Sequence, residues 1–346
     1  SGEKLILHHP LQCADQFENW INEFIEKMQA TTKKCIFDIF SKGLFSWDQP
    51  SSIINVALSL SFTKTIESSN PNKESIISGT NEKIKEAIEN QKESVAMELI
   101  RQRDLTLWLF EQPEKMQKRW HQIMKHSVVD SEIVVTSNET SLPFGYEFWG
   151  TNEMFLTTPS NLRNYRSTSC SLFDIHPTIC FGSEKLGKTR LIKSLASLFG
   201  RFMYIFPAFP DTNEFFLGRV ISGASITGSF LLIKDVQNLA YNHQCFLYDC
   251  CRILYNSLSQ NLPRVILSSH TVDLLPTCRI ILTGSSSFIN AQESLTQLRS
   301  ILRPISICSP TLIDLAKLSL LIKHVEGVPT LSVQLVHFVE SVLATP

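Results

Sequence analysis

The chain has 346 residues, 43% of them apolar, with 32 basic and 33 acidic side chains for a net charge of −1. That composition excludes a disordered chain and allows a large core spread over about two domains; the balanced charge removes any general electrostatic case for nucleic acid or an anionic membrane as a partner. No apolar run approaches a membrane span, no signal peptide opens the chain, the Ser1-Gly2 start reads as an excised piece or a tag remnant, and nine cysteines without C-x-x-C pairs favour a reducing compartment, the cytosol by default.

Phe17, Trp20, Ile21, Phe24, Ile25 and Met28 recur at helical spacing and predict an amphipathic helix. Trp47-Asp48-Gln49-Pro50-Ser51-Ser52 leads into an apolar run, Ile53 to Phe62, read as a second helix with Ser as its cap, packed on the first. Between Glu67 and Glu93 a polar loop feeds one long charged helix with Ile84, Ile88, Val95 and Leu99 on one face. Its Lys and Arg side chains interleave with Glu at i,i+4 distances, which argues a solvated face rather than a binding patch. Trp108, Phe110 and Trp120 are core candidates; His121 and His126, five apart, are poor metal-ligand spacing. Val128 to Thr136 reads as a strand, Pro143 to Phe148 as an ordered connection, and the domain boundary falls near Leu142.

Gly182-Ser183-Glu184-Lys185-Leu186-Gly187-Lys188-Thr189 fits the phosphate-loop pattern G-x-x-x-x-G-K-[ST] at every fixed position. The apolar run Thr178 to Phe181 before it reads as a strand, and Leu191, Ile192, Leu195, Leu198 and Phe199 after it as a helix stopped at Gly200. Strand, glycine loop and helix N-terminus form an anion site in which Lys188 meets phosphate and the Thr189 hydroxyl can hold Mg²⁺. Downstream, strands at Phe202 to Phe206, Phe230 to Ile233 and Arg279 to Thr283 alternate with helices from Asp211, from His243 to Leu258 and before Pro304. That alternation predicts an α/β fold, a parallel sheet with helices on both faces. Pro263 to Leu275 reads as a hairpin with His270 exposed at its tip, and Asp249 falls on a helix.

Several segments in register resemble the dynein heavy chains, specifically the end of the linker followed by the first AAA+ module of the motor ring. Pro143-Phe144-Gly145-Tyr146-Glu147-Phe148 is similar to P-Y-G-Y-E-Y, and Thr158-Pro159 with Arg163 and Tyr165 to T-P-L-T-D-R-C-Y, which lies beside the adenine. Leu275-Pro276-Thr277-Cys278 resembles N-P-T-C, and Leu298 with Leu302-Arg303-Pro304-Ile305 the L-K-A-L-F-R-P-V run. The resemblance implies an AAA+ P-loop NTPase module at 143–325, preceded by a helical linker segment at 1–142 and followed by the start of a small helical lid at 326–346. It also implies ATP or ADP as ligand, and remaining AAA+ modules, dynein subunits and microtubules as partners. The implied setting is the cytoplasm and cytoskeleton, with an axoneme of cilium or flagellum within range, and a subgroup among the dynein heavy chain domain-containing proteins.

Two positions depart from that family. Its Asp-Glu pair, which holds Mg²⁺ and orients the attacking water, is represented after Phe230-Leu231-Leu232-Ile233 by Lys234 and Asp235, or by Asp235 and Val236 if the match slides by one. Its sensor Asn is represented by Ser285, whose side chain has a shorter reach. Nucleotide binding with weak or absent hydrolysis is the leading expectation, with Mg²⁺ contributing little because Lys234 repels it or replaces part of its charge. An active motor that uses Asp235 or another carboxylate as base, and a scaffold whose loop is empty, are the alternatives.

Overall fold

The computed structural model describes residues 3–11, 17–42, 46–69, 71–138, 140–148, 159–285, 301–307, 311–322 and 328–344. Four long helices come first: α1 (Phe17–Lys42), α2 (Ser51–Ile66), α3 (Lys73–Glu89) and α4 (Glu93–Phe110), followed by a short α5 (Met116–His121). The expected single helix through residue 93 is thus two. Its apolar face runs on through the break, so periodicity alone does not reveal it; Gln91 turns at φ 57° and Lys92 N–H closes on Ala87 O at 2.8 Å. The second helix does pack on the first, but serine does not cap it. Instead the Glu3 carboxylate accepts from Ser51 N at 2.9 Å and Ser51 Oγ at 2.5 Å, a partner 48 residues away.

An antiparallel meander closes this region: β1 (Lys125–Val129), β2 (Glu132–Ser137) and β3 (Thr140–Pro143). The single strand expected at Val128 to Thr136 is therefore a hairpin, turned on Asp130 and Ser131 at φ 49° and 64°. Two left-handed residues in a two-residue loop match the twist of the strands, a conformation usually marked by Asn-Gly.

Then α6 (Pro159–Phe173), β4 (Thr178–Phe181), α7 (Lys188–Leu198), β5 (Met203–Pro207), α8 (Glu214–Thr227), β6 (Phe230–Lys234), α9 (Tyr241–Ser259), the hairpin β7 (Arg264–Leu267) and β8 (His270–Asp273), β9 (Arg279–Gly284) and β10 (Arg303–Ser306) build the α/β layer. Its five-stranded parallel sheet has the order β10-β4-β9-β6-β5. Alternate residues face opposite sides. Cys180, Leu232 and Ile281 pack with Leu172 of α6 and Leu191 and Leu195 of α7, while Ile179, Leu231, Ile233 and Leu282 pack with Leu217 of α8 and Leu247 and Leu254 of α9. Helices α10 (Leu312–Ile322) and α11 (Val328–Ala344) follow. The helix expected before Pro304 lies outside the described residues.

The helical region, meander and sheet share one core, from Ile36, Ile54 and Val95 through Phe144 and Tyr165 to Leu191 and Phe230. A polar seam runs through it. Glu98, 1% exposed, accepts from Arg101 Nε at 2.8 Å, Arg101 Nη2 at 2.5 Å and Gln102 Nε2 at 2.9 Å. Burial lowers the Arg101 pKa, and Glu98 outweighs it, so the guanidinium stays charged above its ordinary range.

Beside it His126 of β1 bonds to α2 and α7 together: Nε2 donates to Leu198 O at 2.7 Å and Nδ1 accepts from Ser59 Oγ at 2.8 Å. The connection after β3 grips the same end of α7, where Gly145 N donates to Phe199 O at 3.0 Å and Glu147 N to Gly200 O at 2.9 Å. Gly200, at φ 59°, cannot carry a side chain because a Cβ would overlap the Phe144 ring. The last carbonyls of a helix lack partners within it: Leu195, Ala196 and Ser197 are closed by the amides of Phe199, Arg201 and Gly200, and Leu198 by His126 of β1.

Burial drives the His126 pKa from 6.5 down to about 4 despite its bond to Leu198. Between those values the unfolded chain takes up the proton first, so stability present above pH 6.5 is lost as pH falls toward 4, by about 3 kcal/mol in total. Urea unfolding of the wild type and His126→Gln across this window checks it. The variant should show the flatter profile, and equal slopes would sink the assignment.

Candidate nucleotide site

The loop from Gly182 to Thr189 leaves the end of β4 and enters α7, as strand and helix context required. Gly187 is the residue before the helix and holds φ 82°, where a Cβ would be strained. Lys185 holds φ 64° as well, at a cost of about 1 kcal/mol for a residue with a side chain. Ser183, Glu184 and Lys185 are exposed, while Leu186 to Thr189 are half-buried. The first helical bond to the cap runs from Leu191 N to Gly187 O at 2.9 Å, so the amides of Lys188, Thr189 and Arg190 precede the helical ladder and are free to meet an anion. Lys188 Nζ folds over the loop and donates to Gly182 O at 2.6 Å and Ser183 O at 3.0 Å.

Strand register places the other candidates. Phe181 faces Gly284 across β4 and β9, so Ser285 leaves its strand beside the start of the loop. Ile233 faces Leu282 on the other side of β9, and Lys234, the last residue of β6, pairs with Pro207 of β5. β6 thus ends two strand spacings, about 10 Å, from the strand that carries the loop. Asp235 then turns at φ 58° and donates its N–H to Thr283 Oγ1 at 3.1 Å, and Val236 is wholly buried. Gln237 Oε1 accepts from Ser285 N at 3.2 Å. These two bonds tie the β6 exit to the β9 exit.

Lys234 occupies the strand end and Asp235 the next position, while the slid match would put its second carboxylate at Val236, a site enclosed by the apolar core. Mg²⁺ takes oxygen ligands, commonly one or two carboxylates with phosphate oxygens. Thr189 offers a hydroxyl, but the strand end offers an ammonium, and among the described residues no three His, Cys, Asp or Glu gather at any point. At about 10 Å and an effective dielectric of about 20, an ammonium repels a divalent ion by about 3 kcal/mol. The donor set does not fit the metal.

The structure therefore brings Lys188 and Thr189, Lys234, Asp235 and Ser285 to the same end of the sheet. Thr158, expected beside the adenine, lies outside the described residues; Pro159 begins α6. Asp249 is on α9, paired with Arg252 at 2.8 Å, and His270, exposed, opens β8 next to the hairpin tip. His121 is exposed and His126 buried, so they share no site. Sequence reasoning missed Thr283 and Gln237, which hold the two strand exits. A hydroxyl ending the apolar run Ile280-Ile281-Leu282 was the one available signal.

A parallel sheet in this order, with a glycine loop between its β4 strand and a helix, defines an AAA+ P-loop NTPase fold. The family profile described as the hydrolytic ATP binding site of the dynein motor region matches residues 144–343. The chain belongs to that dynein motor family. Dynein-1-beta heavy chain of the flagellar inner arm I1 complex of Chlamydomonas reinhardtii is 19% identical over 197 residues, 57% of this chain and 4% of that protein. Cytoplasmic dynein 2 heavy chain 1 of Caenorhabditis elegans is 23% identical over 253 residues, 69% of this chain and 6% of that protein. Among solved structures, a point mutant of Thermotoga maritima RuvB overlaps 45% of this chain and 48% of its own at a TM-score of 0.35 and 16% identity. The chain spans less than a tenth of the length of these dynein relatives.

Proposed function

We propose that this chain is a dynein-type AAA+ module that binds ATP or ADP through Gly182 to Thr189, with weak or absent hydrolysis. One observation carries the reading: β6 ends in Lys234, followed by Asp235 in a left-handed turn and a buried Val236, so neither register supplies two carboxylates beside the loop. Loss of a general base typically removes a factor of about 10² to 10⁴ in rate. Ser285, with its short side chain at the sensor position, points the same way.

In this reading Lys188 and the amides of Gly187 to Thr189 hold phosphate, Thr158 and Pro159 lie toward the adenine, and Asp235 and Ser285 are weak remnants of the hydrolytic set. The linker segment occupies 1–142, the α/β subdomain 143–325 and the beginning of the lid 326–346. Its role is structural or regulatory within a larger heavy chain, with other AAA+ modules, dynein subunits and microtubules as partners. The names of the relatives support a cytoskeletal setting, cytoplasmic or axonemal.

Calorimetric titration with ATP and ADP and steady-state phosphate release on the 346-residue chain test the reading together. Binding with turnover at background is the expected result. Turnover well above background that Lys188→Ala abolishes would overturn the loss of hydrolysis, and no heat at millimolar nucleotide would overturn binding.

A further inference from the structure

We infer that the ligand of this loop is a nucleoside diphosphate free of divalent metal, with the Lys234 ammonium standing where a metal-holding carboxylate would be. The inference rests on the nucleotide reading above and narrows it. Three observations carry it.

The strand pairing fixes Lys234 at the last position of β6, level with Thr283 on the strand that separates it from the loop. Lys234 has the same parity in β6 as Leu232, which packs with α7, so its side chain leaves the sheet on the face that carries α7. Second, Asp235 cannot step into the place of Lys234: its backbone is turned to φ 58° and pinned by its N–H to Thr283 Oγ1, and the buried Val236 anchors the turn on the other side. Third, the remaining charges favour a diphosphate over a triphosphate. Lys188 and Lys234 supply two positive charges and the N-terminus of α7 about half a charge more, Asp235 at the β6 exit takes back one, and a diphosphate brings roughly three negative charges. Glu184 and Lys185, both exposed in the loop, offset one another. A triphosphate would carry about one further negative charge with no cation assigned to it, and a metal bridging its oxygens would meet the Lys234 ammonium.

The test is calorimetry on the 346-residue chain with ADP and with ATP, each in EDTA and in millimolar Mg²⁺, repeated with Lys234→Ala and Lys234→Asp. Circular dichroism confirms that each variant is folded. The wild type should bind ADP best in EDTA, with excess Mg²⁺ weakening it about tenfold as the ligand is drawn into a complex that the ammonium repels. Lys234→Ala should lose about tenfold in EDTA, one charge-assisted hydrogen bond, and Lys234→Asp should invert the metal effect, binding more tightly with Mg²⁺. In electron paramagnetic resonance, Mn²⁺ added with ADP should keep its free-ion signal with wild type and lose part of it with Lys234→Asp.

Wild-type binding that tightens on adding Mg²⁺, or an unchanged metal effect in Lys234→Asp, overturns the inference and leaves nucleotide binding standing. ATP binding more tightly than ADP in EDTA overturns the choice of a diphosphate. Absence of binding in every arm overturns the nucleotide reading itself.

Discussion

Lys188→Ala should weaken nucleotide binding about 10²-fold while leaving the fold intact. The Lys188 ammonium is already poised over the loop by Gly182 O and Ser183 O, so a phosphate oxygen arriving there meets a donor whose ordering has been offset in advance. Charge-assisted hydrogen bonds contribute about 1.5 to 3 kcal/mol each, and loss of this cation from a site that lacks a metal should cost about 10² in affinity. Of the two carbonyls released in the variant, that of Ser183 lies on an exposed residue where water can take over, and the partly buried bond to Gly182 is the one lost, at about 1 kcal/mol. Thermal unfolding should therefore move by only a few degrees. Calorimetry paired with thermal unfolding reads both quantities, and wild-type affinity in Lys188→Ala would place the ligand elsewhere.

A second substitution should act on the fold instead. Glu98→Ala leaves Arg101 with its charge buried and unpaired beside Tyr165, and the Gln102 amide without its carboxylate acceptor. Removing one partner of a buried pair costs about 3 to 5 kcal/mol, because the survivor keeps its desolvation penalty. For a chain of this size that corresponds to a fall of about 10 °C in Tm. The double variant Glu98→Met with Arg101→Met removes both charges and should recover much of the loss. Scanning calorimetry of the single and double variants distinguishes the two, and a single variant within a degree of wild type would mean that Arg101 finds solvent.

The contrast between these two sites explains what could be read without coordinates. The phosphate loop was legible because its chemistry is local: eight consecutive residues carry the glycines, lysine and threonine, and the flanking strand and helix announce themselves by period. The parallel sheet was legible for the same reason, as apolar runs alternating with helices. The seam was not. Glu98, His126 and Leu198 are far apart in the chain, and nothing in Lys125-His126-Ser127 distinguishes a buried histidine from a surface one. Glu3 capping α2 fails the same test, since local rules nominate serine and the carboxylate comes from 48 residues away. The turns at Gln91 and Asp130-Ser131 were hidden because their left-handed residues are not the Gly or Asn that usually signal one. The exact end of β6 was hidden too: the apolar run stops at Ile233, and only the pairing with Pro207 of β5 extends the strand to Lys234.

Helix α7 has 11 residues, about 16 Å of stiff backbone. The phosphate loop is spliced to one end, and His126, Gly145 and Glu147 hold the other through the carbonyls of Leu198 and of the two residues that follow it. A rod clamped at one tip transmits displacement without bending. The orientation of the phosphate amides is therefore set partly by residues that no nucleotide touches, on the far side of the core. Thermodynamic reciprocity makes the traffic two-way: whatever free energy a ligand gains from a particular tilt of this rod, the meander and its histidine feel as an equal bias on their own docking.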